Sequence, residues 1–70
     1  MGQTGTVKWF NKVKGCGFIA PDGGNKDVFV HVSAVEQANL PGLNEGQRVN
    51  FEVKSGRDGR VSAENLTLAN

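Results

Sequence analysis

The segments KGCGFI (residues 14–19) and VFVH (residues 28–31) predict two short β-strands that carry different chemistry on their two faces. Successive side chains of a strand point to opposite sides. One face therefore presents aliphatic residues to a core, namely Ile19, Val28 and Val30. The other face presents flat rings to solvent, namely Phe18, Phe29 and His31. Exposed rings above a buried aliphatic layer are typical of a surface on which nucleic-acid bases stack.

The rest of the chain predicts an all-β domain. Strands are expected over residues 4–11, 16–20, 27–32, 47–54 and 61–68, with Pro21 ending the second strand and Asp58-Gly59 forming a hairpin turn before the fifth. In the fourth strand Val49, Phe51 and Val53 alternate with polar residues, which predicts a half-buried strand. Three strands, a long connection and two more strands favour a five-stranded antiparallel OB-type β-barrel.

The long connection over residues 33–46 contains the one helical signal. Ser33 and Glu36 have the spacing of a capping box, which predicts a short helix from Ser33 to about Asn39, where Pro41-Gly42 follows.

Size and composition predict one domain over residues 1–70 with a small core, because 37% of the residues are hydrophobic. The single cysteine, Cys16, excludes an internal disulfide and offers no metal cluster. The first residues lack the apolar run of a signal peptide, and no segment approaches membrane-spanning length. We therefore expect a cytoplasmic monomer that needs no membrane, metal or cofactor.

The positive charge of the chain is concentrated at one end. Residues 1–20 carry a charge of +3 from Lys8, Lys12 and Lys14, whereas residues 21–70 carry −2 from five basic and seven acidic residues. These lysines could simply solubilise a small domain, but they alternate with the rings of Trp9, Phe10 and Phe18. Cations interleaved with aromatic residues favour nucleic-acid binding.

Strict alternation in the first strand places Val7 and Trp9 on the same face. If Val7 is buried, Trp9 is either an ordinary core residue or reaches the surface because the strand bulges or ends near it. The lysines beside it favour exposure.

Four segments together resemble the bacterial cold-shock protein family: GTVKWFN (5–11), KGCGFI (14–19), DVFVHVSA (27–34) and LNEGQRV (43–49). The similarity covers nearly the whole chain in order. It implies a five-stranded barrel that binds single-stranded RNA and DNA, with pyrimidine-rich strands preferred, and that acts as an RNA chaperone, a transcription antiterminator or a translational regulator. The residues carried over onto matching positions are Lys8, Trp9, Phe10, Lys14, Phe18, Asp27, Phe29 and His31, with Lys12 and Arg57 as less certain phosphate contacts.

The chain departs from the family pattern at three positions that are usually aromatic, which here are Cys16, Val32 and Leu40. These side chains can provide apolar contact but cannot stack, so we expect weaker binding than in family members with every ring. Asp27 could accept a hydrogen bond from a base or merely cap the turn before the third strand. Cys16 is either an exposed, unreactive thiol or a buried, inert one.

Two other functions compete with nucleic-acid binding. An enzyme would need Cys16 and His31 to act as a dyad, but the sequence offers no oxyanion hole or substrate pocket, so we expect no catalysis. A protein-interaction module would need an apolar surface patch, for which the candidates are Phe10, Cys16, Val32 and Leu40. Retention of Lys14, Phe18, Phe29 and His31 together favours nucleic acid.

Overall fold

The computed structural model describes residues 2–56 and 58–69 and shows a closed β-barrel. Its elements are β1 (Gly2–Asn11), β2 (Cys16–Pro21), β3 (Val28–His31), α1 (Val32–Gln37), β4 (Arg48–Ser55) and β5 (Val61–Leu68). The strands are ordered β1-β2-β3-β5-β4 around the barrel, and β4 pairs with β1 to close it. The predicted five-stranded OB-type barrel with one short helix is confirmed. Within it β3 and β5 run parallel, whereas the other neighbouring strands run antiparallel.

The core is built from the inward-facing apolar residues of all five strands together with α1. The most deeply buried large side chains are Val7, Ile19, Val30, Val35, Val49 and Phe51. The inward positions expected from alternation, Ile19, Val28 and Val30, are buried as predicted. Val53 does not have its expected burial. It pairs with the buried Ala63, but it is 37% exposed and lies close to the end of β4.

A β-bulge at Lys8 decides which way the rings of β1 point. Val7 pairs with Ile19 and Trp9 pairs with Phe18, so Lys8 is an extra residue without a partner on β2. The extra residue reverses the alternation, which lets Val7 face the core while Trp9 joins the outward face. Trp9 is 43% exposed, so the alternative of a core tryptophan is wrong and the predicted bulge is confirmed.

The start of the helix differs from the prediction. β3 passes directly into α1, which begins at Val32, and the N-cap residue is His31 rather than Ser33. The backbone N–H of Ser33 donates to Nδ1 of His31 at 3.1 Å. Because the imidazole supplies the acceptor that a capping serine would supply, the N-cap lies two residues earlier than the capping-box spacing indicated. The helix also ends earlier, at Gln37.

Other element boundaries differ from prediction by one or two residues. β1 begins at Gly2, β4 is displaced by one residue, and β2 includes Pro21, which was expected to end it. β5 has the predicted bounds, and residues 58 and 59 form a turn before it. Within the described residues, no helix is long and apolar enough to cross a membrane.

An ion pair joins the turn after β2 to the start of β4. The Arg48 guanidinium donates from Nη1 and Nη2 to the two carboxylate oxygens of Asp22, each at 2.6 Å, and Nη1 also donates to Oγ1 of Thr6 at 3.0 Å. The hydrogen bonds from Arg48 lower the pKa of Asp22, while partial desolvation opposes this shift. The same hydrogen bonds raise the pKa of Arg48.

Replacing Arg48 with glutamine is therefore expected to return the pKa of Asp22 toward its ordinary value. A carboxyl group whose pKa is lowered by folding stabilises the folded state above its unfolded pKa, and this stabilisation is lost as the pH falls through the folded pKa. The variant should thus lose the acid-side part of its pH-dependent stability. Carboxyl chemical shifts of Asp22 followed by NMR between about pH 2 and 6 measure the change. An unchanged titration in Arg48→Gln would contradict the assignment of the shift to this pair.

Candidate nucleic-acid interface

Four rings form a continuous row across β1, β2 and β3. The ring centroids of Trp9 and Phe18 are 5.5 Å apart, those of Phe18 and Phe29 are 5.8 Å apart, and those of Phe29 and His31 are 6.5 Å apart. The planes are tilted or edge-on to one another, with angles of 60°, 73° and 39°. We call these four residues the ring row.

The backbone pairing explains why the ring row is continuous. Trp9 is the cross-strand partner of Phe18, and Phe18 is the partner of Phe29. His31 follows Phe29 by two residues and therefore lies on the same face of β3. Trp9 and His31 are exposed, while Phe18 and Phe29 are partly buried. Each ring thus keeps surface available to a flat ligand group while the aliphatic layer beneath fixes its strand.

Phe10 is directed differently from the ring row. It pairs with Gly17 on β2, is partly buried and packs against the core. The bulge that turns Trp9 outward also turns the next residue inward, so the structure does not bring Phe10 together with the other predicted site rings. Any contribution of Phe10 to binding comes through the part of its side chain that remains accessible.

Lys8 and Asp27 form an ion pair beside the ring row, with Nζ of Lys8 3.0 Å from Oδ2 of Asp27. Their side chains are 54% and 38% exposed, so the pair contributes little to the stability of the fold. Both are predicted site residues, but their pairing does not follow from the sequence. The one signal there is that each charge lies close in sequence to a ring, Lys8 beside Trp9 and Asp27 two residues before Phe29.

Two more lysines of the predicted site lie in the loop between β1 and β2. Lys14 is exposed, and its backbone N–H donates to Oδ1 of Asn11 at 2.9 Å. The stem of Lys12 passes over Gly42, since a Cβ on that glycine would lie 2.6 Å from Cε of Lys12. Arg57, the other predicted phosphate contact, lies outside the described residues.

The three positions that lack the usual rings contain partly buried apolar side chains. Cys16 is partly buried on β2, where His31 is its partner on β3. Val32 is partly buried in the first turn of α1, and Leu40 packs against the core. The apolar patch proposed for a protein partner is therefore largely occupied in packing, because Phe10 packs against the core as well.

The position of His31 bears on the alternative in which Cys16 and His31 act as a catalytic dyad. Its Nδ1 lies 3.0 Å from Oγ of Ser33 and accepts the Ser33 N–H, so that nitrogen is committed to the cap of α1. Among residues 2–56 and 58–69, no group of three or more His, Cys, Asp or Glu side chains is arranged to hold a metal ion.

A closed five-stranded barrel with a short helix after its third strand and a ring row flanked by lysines defines this protein as a small OB-type β-barrel protein. The family comparison agrees with the geometry, because residues 3–69 match the 'Cold-shock' DNA-binding domain. The chain belongs to the cold-shock domain family, a family of nucleic-acid-binding proteins.

Three relatives are more than 50% identical to this chain over aligned regions that cover nearly all of both chains. A probable cold shock protein of Sinorhizobium fredii is 58% identical over 67 residues, which is 94% of this chain and 97% of that one. A cold shock protein of Rhizobium meliloti is 55% identical over 68 residues, or 96% and 99% of the two chains. A cold shock-like protein of Escherichia coli is 51% identical over 66 residues, or 94% of each chain.

Proposed function

We propose that this protein binds single-stranded RNA and DNA by stacking bases on the ring row while lysines contact the phosphates. The observation that carries the proposal is the continuity of the row, because adjacent rings lie 5.5 to 6.5 Å apart over three strands. Successive bases of a flexible strand can follow such a row, and stacking tolerates every base because each has a π-face.

The lysines and Arg57 define the path of the nucleic-acid backbone over the protein. Lys14 is free to meet a phosphate, with Lys12 and Arg57 as secondary contacts. Lys8 must leave the Asp27 carboxylate in order to contact a phosphate, so its net contribution to the free energy of binding is reduced. A non-enzymatic role follows, in which the protein holds strands unfolded as an RNA chaperone, antiterminator or translational regulator. A cytoplasmic monomer with a preference for pyrimidine-rich strands, and without metal or cofactor, completes the proposal.

The expected affinity is moderate. Each stacked base contributes about 1–3 kcal/mol by alanine substitution, and ordering the strand and side chains consumes part of the total. Three positions that could carry further rings do not, so dissociation constants of about 1 μM are expected rather than nanomolar values. The alternative, a protein-interaction barrel, has less support, because two of its four candidate patch residues, Phe10 and Leu40, pack against the core.

Fluorescence of the single tryptophan tests the proposal directly, because Trp9 lies in the ring row. Titration with a six-residue oligothymidine should quench the emission in a saturable manner. With two or three phosphates neutralised, the logarithm of affinity should fall with the logarithm of salt at a slope of about −1.5 to −2. An absence of quenching at high micromolar strand would overturn the proposal and favour the protein-interaction alternative.

Restoring a ring at position 16 should tighten binding. Cys16 lies on the same face as Phe18 and opposite His31, so the Cys16→Phe ring would extend the ring row by one position. One added stack is expected to raise affinity by about 1–3 kcal/mol, or about 5- to 150-fold. The same titration measures it, with Cys16→Ser as the control that removes the thiol without adding a ring. Equal affinities for the two variants would contradict the loss of a stacking position.

A further inference from the structure

A groove of about 590 Å³ opens where the ring row meets the β4–β5 hairpin. Its walls combine aromatic and aliphatic surface with one carboxylate and one guanidinium. The residues that carry the argument are Phe18, Asp27, Phe29, Arg60, Val61 and Ser62. Apolar walls with a few convergent polar groups are the usual features of a site for a flat organic ligand.

The strand register explains why the two charged groups converge. Phe29 of β3 pairs with Ser62 of β5, and the two strands run parallel. Asp27 and Arg60 each precede their paired residue by two positions. Asp27 and Arg60 thus lie just before neighbouring strands, at the same end of the pair, and both line the groove beside Phe29.

Both charged groups have an ionic neighbour and keep atoms available. Nζ of Lys8 lies 3.0 Å from Oδ2 of Asp27, and Oδ2 of Asp58 lies 3.2 Å from Nε of Arg60. Asp58 also accepts the Arg60 backbone N–H at 3.1 Å. Within residues 2–56 and 58–69, no protein partner is bound to Oδ1 of Asp27 or to Nη1 and Nη2 of Arg60. The groove therefore offers a hydrogen-bond acceptor on one side and a fork of donors on the other.

We infer that this groove is a subsite for a guanine base of the bound strand, an inference that rests on the proposed function. Guanine presents two adjacent donors, N1–H and the N2 amino group, and two adjacent acceptors, O6 and N7. A carboxylate accepts from the donor pair, and an arginine fork donates to O6 and N7. The carboxylate of Asp27 matches the donor edge of guanine, and the guanidinium of Arg60 matches the acceptor edge. The plane of the base packs on the aromatic wall.

The other bases match the groove less well. Adenine has an N7 acceptor but an amino group where guanine has O6, so it would place a donor against the arginine fork. Cytosine has one donor for the carboxylate, and thymine or uracil has one ring N–H between two acceptors. A guanine in an otherwise pyrimidine strand is thus the ligand that uses both charged walls.

Tryptophan fluorescence with a series of six-residue strands tests this subsite. Oligothymidine is compared with strands in which one position at a time is guanine or adenine. A guanine in the groove is expected to tighten binding about tenfold over oligothymidine and over the matching adenine strand. Inosine, which lacks the N2 amino group, and 7-deazaguanine, which lacks N7, should each lose most of that gain.

Variants of the two charged walls identify the residues responsible. Arg60→Lys keeps the positive charge but loses the planar fork. The affinity for the guanine strand divided by that for oligothymidine should therefore fall to about 1, and Asp27→Asn should have the same effect. Lys54→Gln is the matched control, because Lys54 is an exposed cation whose nearest acid, Glu64 at 3.9 Å, is outside the groove. Its ratio should stay at the parental value.

The outcomes separate the two proposals. Equal binding of the guanine, adenine and thymine strands would overturn the guanine subsite while leaving the proposed function intact. Retention of the guanine ratio in Arg60→Lys or Asp27→Asn would also overturn it. Failure of every strand to quench Trp9 would overturn the proposed function itself.

Discussion

Replacing Phe29 with alanine is expected to weaken binding of a single-stranded oligonucleotide by about 5- to 150-fold. Phe29 occupies the middle of the ring row, with Phe18 at 5.8 Å on one side and His31 at 6.5 Å on the other. Its removal deletes one stacking face, worth about 1–3 kcal/mol, and also leaves its two neighbours without lateral support. The loss should therefore lie toward the upper end of that range, measured by quenching of Trp9.

A matched control separates lost stacking from lost stability. Leu68 is an apolar residue on β5 that is 50% exposed and outside the ring row, so Leu68→Ala should leave the affinity near its parental value. Thermal unfolding of both variants verifies that each is folded at the titration temperature. If Phe29→Ala remains folded and binds as tightly as Leu68→Ala, stacking on the ring row is not the source of affinity.

Replacing Gly17 with alanine is expected to destabilise the fold by about 3 kcal/mol or more. Gly17 is buried in the middle of β2 and pairs with Phe10 on one side and Val30 on the other. A Cβ there would collide with the backbone oxygen of Trp9 and would lie 2.8 Å from Cα of Phe10. These atoms belong to the paired strand, so β1 must move away from β2 at the point where the bulge presents Trp9.

The displacement of β1 from β2 should be visible as a loss of stability. Below about 70–80 residues a core rarely supplies more than about 3–5 kcal/mol, so Gly17→Ala should be largely unfolded at 25 °C. Urea denaturation followed by circular dichroism measures the free energy of unfolding. Gly23→Ala is the control, because its Cβ would meet nothing closer than Nδ2 of Asn25 at 3.8 Å. A cooperative transition in Gly17→Ala at the parental urea midpoint would show that the strands can accommodate the methyl group.

The sequence was informative in β2 and β3, where alternation alone decided each residue's environment. Ile19, Val28 and Val30 are buried, and the rings of Phe18, Phe29 and His31 lie on the opposite face. A strand with a two-residue period allows one assignment once either face is identified. The same logic, followed strictly, failed in β1, because a single extra residue at Lys8 reverses the direction of Trp9 and Phe10.

Features that depend on contacts between distant residues could not be predicted. The Lys8–Asp27 pair and the Arg48–Asp22 pair join residues 19 and 26 positions apart, and each requires the barrel register to be known. The cap of α1 escaped prediction for a local reason. Ser33 has the expected capping residue type, but the imidazole of His31 reaches the Ser33 N–H when β3 runs directly into the helix.

The parallel contact between β3 and β5 gives the barrel a seam. The strands β1, β2 and β3 are joined by short connections, and so are β4 and β5. These two groups of strands meet across the long connection through five residue pairs between β1 and β4, but through the single pair of Phe29 and Ser62 between β3 and β5. Contacts between distant parts of a chain form slowly, and regions with few such contacts open most readily. We therefore expect the seam to form last during folding and to open first.

Phe29 lies on one side of this seam and Arg60 lies at the start of the strand on the other side. A nucleic-acid strand that stacks on Phe29 and reaches Arg60 would span both halves of the barrel. Such a ligand would hold β3 and β5 together and so oppose the local unfolding that is expected to start between them.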